Sequence, residues 1–280
     1  RMPNVDVYVT GSNAKFLSRD IITEFRGRGD ELHMAPLSFG EFMSVYPGNR
    51  YDGWNEYVLY GGLPPVVLLP TVEQKAEFLK RLFEETYIND IVGRHRIRNR
   101  EEFEELIDIL SSGIGSLTNP KKLADTFKTK KGKSISVNTI KSYLDYLCDA
   151  FVVSRAVRYD IKGRKYIDSP QKYYFTDVGL RNARINFRQL EENHTMENVI
   201  FNELLARGCG VDVGLVNATG SDGKKKQLEV DFVCNKGSKR YYVQSAFAIP
   251  DEAKMRQESS SLLRIGDTFK KIIVVKDTPA

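Results

Sequence analysis

The alternation of apolar and polar residues predicts a strand close to the start of the chain. Residues 5–9 of "VDVYVTGSN" alternate and end in a polar glycine turn, and "AKFLSRDIITEF" follows with helical spacing. This order is typical of an interior strand, turn and helix of a parallel α/β sheet. Glu31–Met34 suits a further short strand. We therefore expect residues 1–37 to be the remnant of an α/β domain whose N-terminal part is missing from this chain.

The next segment has a helical pattern. Ser38 and Glu41 have the spacing of a capping box, and apolar residues recur at three-to-four spacing through "TVEQKAEFLKRLFEETYINDIV". Gly61-Gly62 and Pro64-Pro65 interrupt the pattern in "YGGLPPVVLLP", where one helix should stop and another begin. Residues 38–100 are predicted to form a helical lid.

Residues 101–189 predict three short helices followed by two strands, which is the order of a winged helix. The third helix begins after Ser136 and would be the recognition helix if the unit binds DNA. Many winged helices only join domains, so both roles stay open. The candidate nucleic-acid-binding residues are basic and lie in "RHRIRNR", the third helix and the wing: Arg94, Arg96, Arg98, Lys141 and Arg164.

Residues 190–280 predict the order αβββαβ, which is the minimal core of a restriction-endonuclease-like α/β domain. The predicted fold class is therefore α/β and multidomain. It combines the remnant of an α/β domain with a helical lid, a winged helix and this last domain.

Acidic residues in the last unit form the outline of a metal-dependent nuclease site. Helical spacing turns Glu197 into the apolar stripe of its helix, and Glu229 and Asp231 share one face of the strand "LEVDFVC". Glu197 and Asp231 are the candidate Mg²⁺ ligands, although a cap or ion pair would equally explain Glu197. The next strand carries Gln244, but Ala246 stands where such a nuclease needs a lysine. We expect the site to be degenerate and without catalysis.

Composition and charge limit the kinds of partner and the cellular location that we expect for this protein. A net charge of +5 permits an acidic partner without requiring one, and three cysteines without CxxC spacing favour reduced thiols and no zinc site. No run of apolar residues is long enough to span a membrane, and no secretion signal is visible. We expect a cytoplasmic protein without a membrane partner.

The segments together resemble a large prokaryotic family of AAA+-like ATP-binding proteins. The resemblance lies in "VYVTGSNAKFLSRDI", "FRGRGDEL", "PLSFGEF", "YGGLPPVVL", "TYINDIVGRHRIRN", "SSGIGSLTNPKKLADTFK" and "LEVDFVCNKGSKRYYVQSAF". It implies a P-loop ATPase module, a helical lid, a winged helix and a degenerate PD-(D/E)XK-like domain. It also implies nucleotide-binding roles for Ser12 and Asn13 at a sensor-1-like strand end, for Arg28, and for Gly62 and Pro64 in a Gly-x-Pro-like lid motif.

The chain departs from that family in one respect, because no GxxxxGK[ST] motif and no Asp-Asp or Asp-Glu strand end occur in it. We therefore expect ATP and Mg²⁺ to bind the full-length protein through its missing N-terminal part, and neither to bind this fragment. The expected function is that of the C-terminal part of an ATPase that moves its lid and winged helix. The alternatives are a DNA-binding or DNA-processing protein and a protein-interaction adaptor.

Overall fold

The computed structural model describes residues 8, 10–11, 32–132, 134–188, 191–219 and 225–276. The predicted first strand and helix lie outside this part of the chain, apart from Tyr8, Thr10 and Gly11. The predicted strand at Glu31–Met34 is wrong for residues 32–34, which are irregular and carry exposed Leu32 and Met34 side chains. No helix within the described ranges has both the length and the apolar character needed to cross a membrane.

The N-terminal half of the described chain is helical. Its helices are α1 (Phe39–Val45), α2 (Arg50–Tyr60), α3 (Pro64–Val67), α4 (Val72–Arg81), a π-helical segment (Leu82–Ile88), α5 (Asn89–His95), α6 (Arg100–Ser112), α7 (Pro120–Lys131) and α8 (Val137–Asp149).

Helix boundaries follow local sequence chemistry. Ser38 and Glu41 form the predicted capping box at α1, with both reciprocal hydrogen bonds present. Asn119 caps α7, whose first residue is Pro120, and the Ser136 side chain accepts a hydrogen bond from Thr139 N at the start of α8. The predicted helix starts at Ser38 and Ser136 are confirmed.

The helices from α3 to α8 share one apolar core. Each of α4, α6 and α8 buries a stripe of residues at three-to-four spacing, as helices do when they pack together. The most deeply buried members are Leu79, Phe103, Leu106, Ile107, Ile140, Leu144 and Leu147. The core also includes Val153, Tyr173 and Phe175, which lie on the first two strands.

The C-terminal half is built on a sheet. Its elements are β1 (Val153–Asp160), β2 (Lys165–Phe175), α9 (Val178–Arg184), α10 (Glu192–Ala206), β3 (Gly210–Thr219), β4 (Lys225–Lys236), β5 (Lys239–Ala246), α11 (Glu252–Leu263) and β6 (Lys270–Val275).

All six strands belong to a single mixed sheet in the order β2-β1-β3-β4-β5-β6. The two strands predicted as a wing are thus continuous with the strands predicted for the last unit. The connection is parallel and short, since β1 pairs with β3 only through Arg158–Asp160 and residues 213–215. Helix α10 packs on one face of the sheet through Met196, and α11 packs on the other through Leu262. The described molecule is α/β.

Candidate functional site

The carboxylates predicted to cluster do so beneath α10. Glu197 is buried with only 8% of its surface exposed, because its helix turns it toward the sheet together with Met196 and Ile200. Asp231 is 7% exposed on β4, and Glu229 lies at the open rim with a third of its side chain accessible. Alternation along β4 and helical spacing along α10 therefore predicted the positions of these acids correctly.

A lysine that the sequence analysis did not select lies among them. Lys172, on β2, is 4% exposed, and its Nζ atom is 2.8 Å from Glu197 Oε1 and 2.6 Å from Glu229 Oε1. Burial alone would lower the pKa of Lys172, but the two carboxylates raise it above its ordinary value. The ammonium is therefore the positive charge of the cluster.

Glu197 has two further neighbours. Tyr174 Oη donates a hydrogen bond of 2.6 Å to Oε1, and His194 Nδ1 lies 3.8 Å from Oε2, which is an electrostatic contact rather than a hydrogen bond. Burial works to raise the pKa of Glu197, but the contacts with His194 and Lys172 hold it below its ordinary value. The contact with Glu197 raises the pKa of His194. Glu197 is thus kept ionised at the centre of the cluster.

Asp231 is held by the neighbouring strand. Its Oδ2 atom accepts a hydrogen bond of 2.7 Å from Ser245 N, and its own N–H points at Gln244 Oε1 at 3.4 Å. Burial, reinforced by the negative charge of Glu197, raises the pKa of Asp231 to about 7. A proton on Asp231 limits the negative charge that the buried cluster must hold.

Polar contacts also fix α10 over the sheet. Asn198 forms a pair of hydrogen bonds with the backbone of Phe175 at the end of β2, accepting at 2.8 Å and donating at 2.7 Å. Asn202 donates a further one to the same carbonyl at 2.9 Å. These contacts set the register between β2 and α10, and so bring Lys172 to Glu197.

The loop after α6 lies directly against the acidic cluster. Gly115 has φ +72°, and a Cβ at this position would lie 3.0 Å from His194 Nδ1 and 3.4 Å from Glu197 Oε2. Only glycine combines this conformation with so close an approach. The "SSGIG" loop, which belongs to the unit predicted as a winged helix, therefore covers part of the acidic cluster.

A divalent metal does not fit this arrangement. Mg²⁺ requires free oxygen ligands in near-octahedral geometry at about 2.1 Å. Here one oxygen of Glu197 and one of Glu229 contact the Lys172 ammonium, and Asp231 Oδ2 accepts a hydrogen bond from the Ser245 amide. Among the described side chains, no group of three or more His, Cys, Asp or Glu is placed to hold a metal ion.

Lys254 and Arg240 do not supply the lysine that is missing at Ala246, because each side chain has another partner. Lys254 Nζ lies 2.5 Å from Glu258 on its own helix, and Arg240 hydrogen-bonds Asn235. Ala246 is itself buried in the sheet. The sequence did contain a signal for the burial of Lys172. In "QKYYF", the alternation of side chains along a strand puts this lysine on the same face as Tyr174, which is buried.

The predicted nucleotide-binding residues fall into two groups. Ser12, Asn13 and Arg28 lie outside the described residues. Gly62 and Pro64 lie where α2 gives way to α3: Gly62 N donates a hydrogen bond of 2.8 Å to Asp177 Oδ2, and its carbonyl accepts one from Leu37 N. Packing inside the protein thus accounts for the "GGLP" sequence in the described molecule.

The predicted nucleic-acid-binding residues lie on three elements. Arg94, Arg96 and Arg98 are at the end of α5, where Arg94 pairs with Asp90. Lys141 is exposed on α8, and Arg164 is exposed in the turn between β1 and β2.

Comparison with known proteins places this molecule in a family. Residues 51–191 match the family model of a domain of unknown function, DUF8612. The chain belongs to the DUF8612 family. Residues 1–43 match a second model, described as an AAA domain. In the DUF8612 match, Lys172 lies inside the matched region, whereas its three acidic neighbours lie beyond it.

Two similar proteins extend beyond the region they share with this chain. An uncharacterized protein of Haemophilus influenzae is 36% identical over 97% of this chain and 66% of its own length. An uncharacterized protein of Methanocaldococcus jannaschii is 29% identical over 97% of this chain and 63% of its own length. The chain thus spans slightly less than two thirds of each relative. No solved structure matches it.

Proposed function

We propose that this DUF8612 chain is the C-terminal part of an ATP-binding protein of the AAA type, and that its acidic cluster joins parts of the fold without catalysing a reaction. The observation that carries the ATP-binding half is the AAA match over residues 1–43. The additional length of the relatives leaves room for the ATP and Mg²⁺ sites, to which Ser12, Asn13 and Arg28 would contribute.

Contacts at the end of the AAA match support a mechanical role for this part. Glu203 Oε1 on α10 accepts a hydrogen bond of 2.6 Å from Phe39 N, the first residue of α1. The carbonyl of Leu37 accepts one of 2.8 Å from Tyr57 Oη. The segment at the end of the AAA match is therefore hydrogen-bonded to both the helical half and the sheet half, as transmission of a nucleotide-driven movement requires.

Within this proposal, residues 38–100 act as a helical lid, 101–189 as a winged helix and 190–280 as a degenerate restriction-endonuclease-like domain. The absence of catalysis is supported by the position of Lys172, whose ammonium takes up the two carboxylates that metal-dependent hydrolysis would need.

The full-length Haemophilus influenzae relative provides the test. We expect it to bind ATP and to hydrolyse it when Mg²⁺ is present, and we expect the 280-residue chain alone to bind no ATP in a calorimetric titration. A full-length relative that neither binds nor hydrolyses ATP would contradict the proposal.

DNA binding is the second candidate, and the surface of α8 favours it. This helix buries Ile140 and Leu144 but exposes Asn138 and Lys141 near its N-terminal end, where a recognition helix contacts bases. Fluorescence polarisation with duplex DNA should show binding that weakens with salt. Lys141→Glu should weaken it further, and Lys270→Glu on β6 is the matched control. Binding that is insensitive to both salt and Lys141 would reject this candidate.

A further inference from the structure

The edge strand β6 presents apolar residues along an open backbone edge. Of the described strands, β6 pairs only with β5, in a parallel ladder that runs from Lys270 to Val275. Residues 272–275 are all apolar, and each is partly exposed. The outer edge of a terminal strand carries N–H and C=O groups that can pair with a further strand. β6 can therefore accept a seventh strand.

The opposite edge of the sheet, at β2, is better protected. Thr118 N donates a hydrogen bond of 2.6 Å to the Gln171 carbonyl, and Gln171 N donates one of 2.9 Å to the Thr118 carbonyl. Further out, β2 contains Lys165, Asp168 and Pro170. Charged residues and proline both discourage the addition of a strand. Of the two edges, β6 is therefore the one suited to pairing.

A groove of about 790 Å³ lies beside β6, on the sheet face that α10 covers. Alternate side chains of an added strand would point into this groove, because side chains alternate between the two faces of a sheet. Tyr51 also lines it, with 70% of its surface exposed. The apolar lining includes Phe39, Trp54, Ile200, Leu204, Ile272 and Val274.

The charged side chains of the groove favour an acidic ligand. Its lining contains the cationic residues Arg50, Arg207 and Lys276. Glu203 is the one carboxylate among the described lining residues, and it already pairs with Arg207. Lys276 Nζ lies 4.8 Å from the centre of the Phe247 ring, which keeps the ammonium beside the groove. The groove thus complements a ligand that is apolar in its centre and acidic at its ends.

A second copy of this chain is disfavoured as the occupant. Antiparallel pairing of two β6 strands about Ile273 would set Lys270 opposite Lys276. Parallel pairing in register would set each lysine opposite its own copy. Like charges directly opposite one another destabilise a strand pair. A strand with acidic ends would instead bring carboxylates to these lysines.

We propose that the β6 edge and this groove dock an extended peptide segment of a partner protein, apolar in its centre and acidic at its ends. The segment adds to β6 as a strand, so that backbone hydrogen bonds supply affinity and the groove selects the apolar side chains. This interaction goes beyond the proposed ATP-dependent role and does not depend on it.

The single tryptophan of the chain, Trp54, provides a direct readout because it lines the groove. The probe is a synthetic peptide that alternates valine with threonine and carries glutamates at both ends. It should shift the Trp54 emission to shorter wavelength in a saturable way, with a Kd below about 1 mM. The same peptide with lysines at its ends should bind at least about tenfold more weakly.

Exposed residues of the groove test the site without disturbing the core. Tyr51→Ala should raise the Kd about fivefold, because it removes an aromatic contact, and Tyr166→Ala is the matched control on β2. Arg50→Glu combined with Lys276→Glu should raise the Kd at least about tenfold. Its charge-matched control is Lys128→Glu combined with Lys165→Glu, two exposed lysines on α7 and β2. Neither control should change the Kd.

Strand addition is tested separately by methylating backbone nitrogens of the peptide. Alternate N–H groups of a strand point to the same side, so methylation of one alternate set removes the hydrogen bonds to β6 and methylation of the other set leaves them. One of the two methylated peptides should therefore lose binding while the other keeps it. Equal affinity of both would contradict pairing with β6.

Three other results would overturn the proposal. One is the absence of a saturable change in Trp54 emission. Another is equal affinity for the peptides with glutamate and lysine ends. The third is a dimer of the peptide-free chain in sedimentation that Tyr51→Ala dissociates, because a second copy would then occupy the groove. All these measurements are made without ATP, so their failure leaves the test of ATP hydrolysis by the full-length relative unaffected.

Discussion

The Lys172 ammonium lies 2.6 Å from Glu229 Oε1, although β1 and β3 separate the strands that carry the two residues. The lysine side chain must therefore extend along the sheet face beneath α10, where it also meets Glu197. This ion pair joins the DUF8612-matched region to the strands beyond it, close to the short pairing of β1 with β3.

Replacing Lys172 by Met should destabilise the fold. The substitution leaves Glu197 buried without its counterion, a loss of about 3–5 kcal/mol in the free energy of unfolding. Lys165→Met, on the exposed part of the same strand, should change it by less than about 0.5 kcal/mol. Urea denaturation followed by circular dichroism measures both, and equal effects would show that Lys172 has no special role.

Tyr174→Phe should lower the free energy of unfolding by about 1–2 kcal/mol, because Glu197 loses a buried hydrogen-bond donor. The ring itself should stay packed against Phe201. Tyr166→Phe is the matched control, since that hydroxyl makes only a 3.3 Å contact at an exposed site. A loss confined to Tyr166→Phe would contradict the importance of the Glu197 contact.

Gly62→Ala should destabilise the protein by roughly 2 kcal/mol or more. A Cβ at this position would lie 2.2 Å from the Leu37 carbonyl oxygen, so the segment at the end of the AAA match would have to shift. Gly93→Ala in α5 meets no atom within 4 Å and should stabilise its helix by about 0.5–1 kcal/mol. If both variants unfold at the same denaturant concentration, the close packing at Gly62 is unimportant.

Asp177 should make stability depend on pH. Burial raises its pKa to about 6 despite hydrogen bonds from the Gly62 and Leu180 amides, and Tyr57 and Tyr87 face it from neighbouring elements. The folded state therefore holds a proton at pH values where the unfolded carboxyl has lost it. The contribution of Asp177 to the free energy of unfolding is therefore greatest below pH ~4, and it is lost as the pH rises through about 6.

The matching experiment compares the free energy of unfolding of the unaltered chain with that of Asp177→Asn from pH 4 to 7. The difference between them should fall by roughly 2–3 kcal/mol across this range. Asp168→Asn, at an exposed position on β2, is the matched control variant. A difference for Asp177→Asn that does not change with pH would contradict the raised pKa of Asp177.

Local chemistry made much of the secondary structure predictable. The capping box at Ser38 and the Asn119-Pro120 pair depend on contacts within one helical turn, so the residues themselves specify them. Periodicity likewise placed Glu197, Glu229 and Asp231 toward the core. The strand predicted at Glu31–Met34 failed for residues 32–34, because a short strand needs a partner strand and none of the described strands pairs with these residues.

Contacts between residues that are distant in sequence could not be predicted from local spacing. The sequence by itself determined which helices form and which acids face inward, since those properties follow from spacing and burial. Only the tertiary structure decided that the predicted wing strands continue the C-terminal sheet, and that Lys172 supplies the positive charge absent at Ala246. The reason is physical: the energy of an ion pair depends on separation in space, and strands distant in sequence meet only when the sheet is assembled.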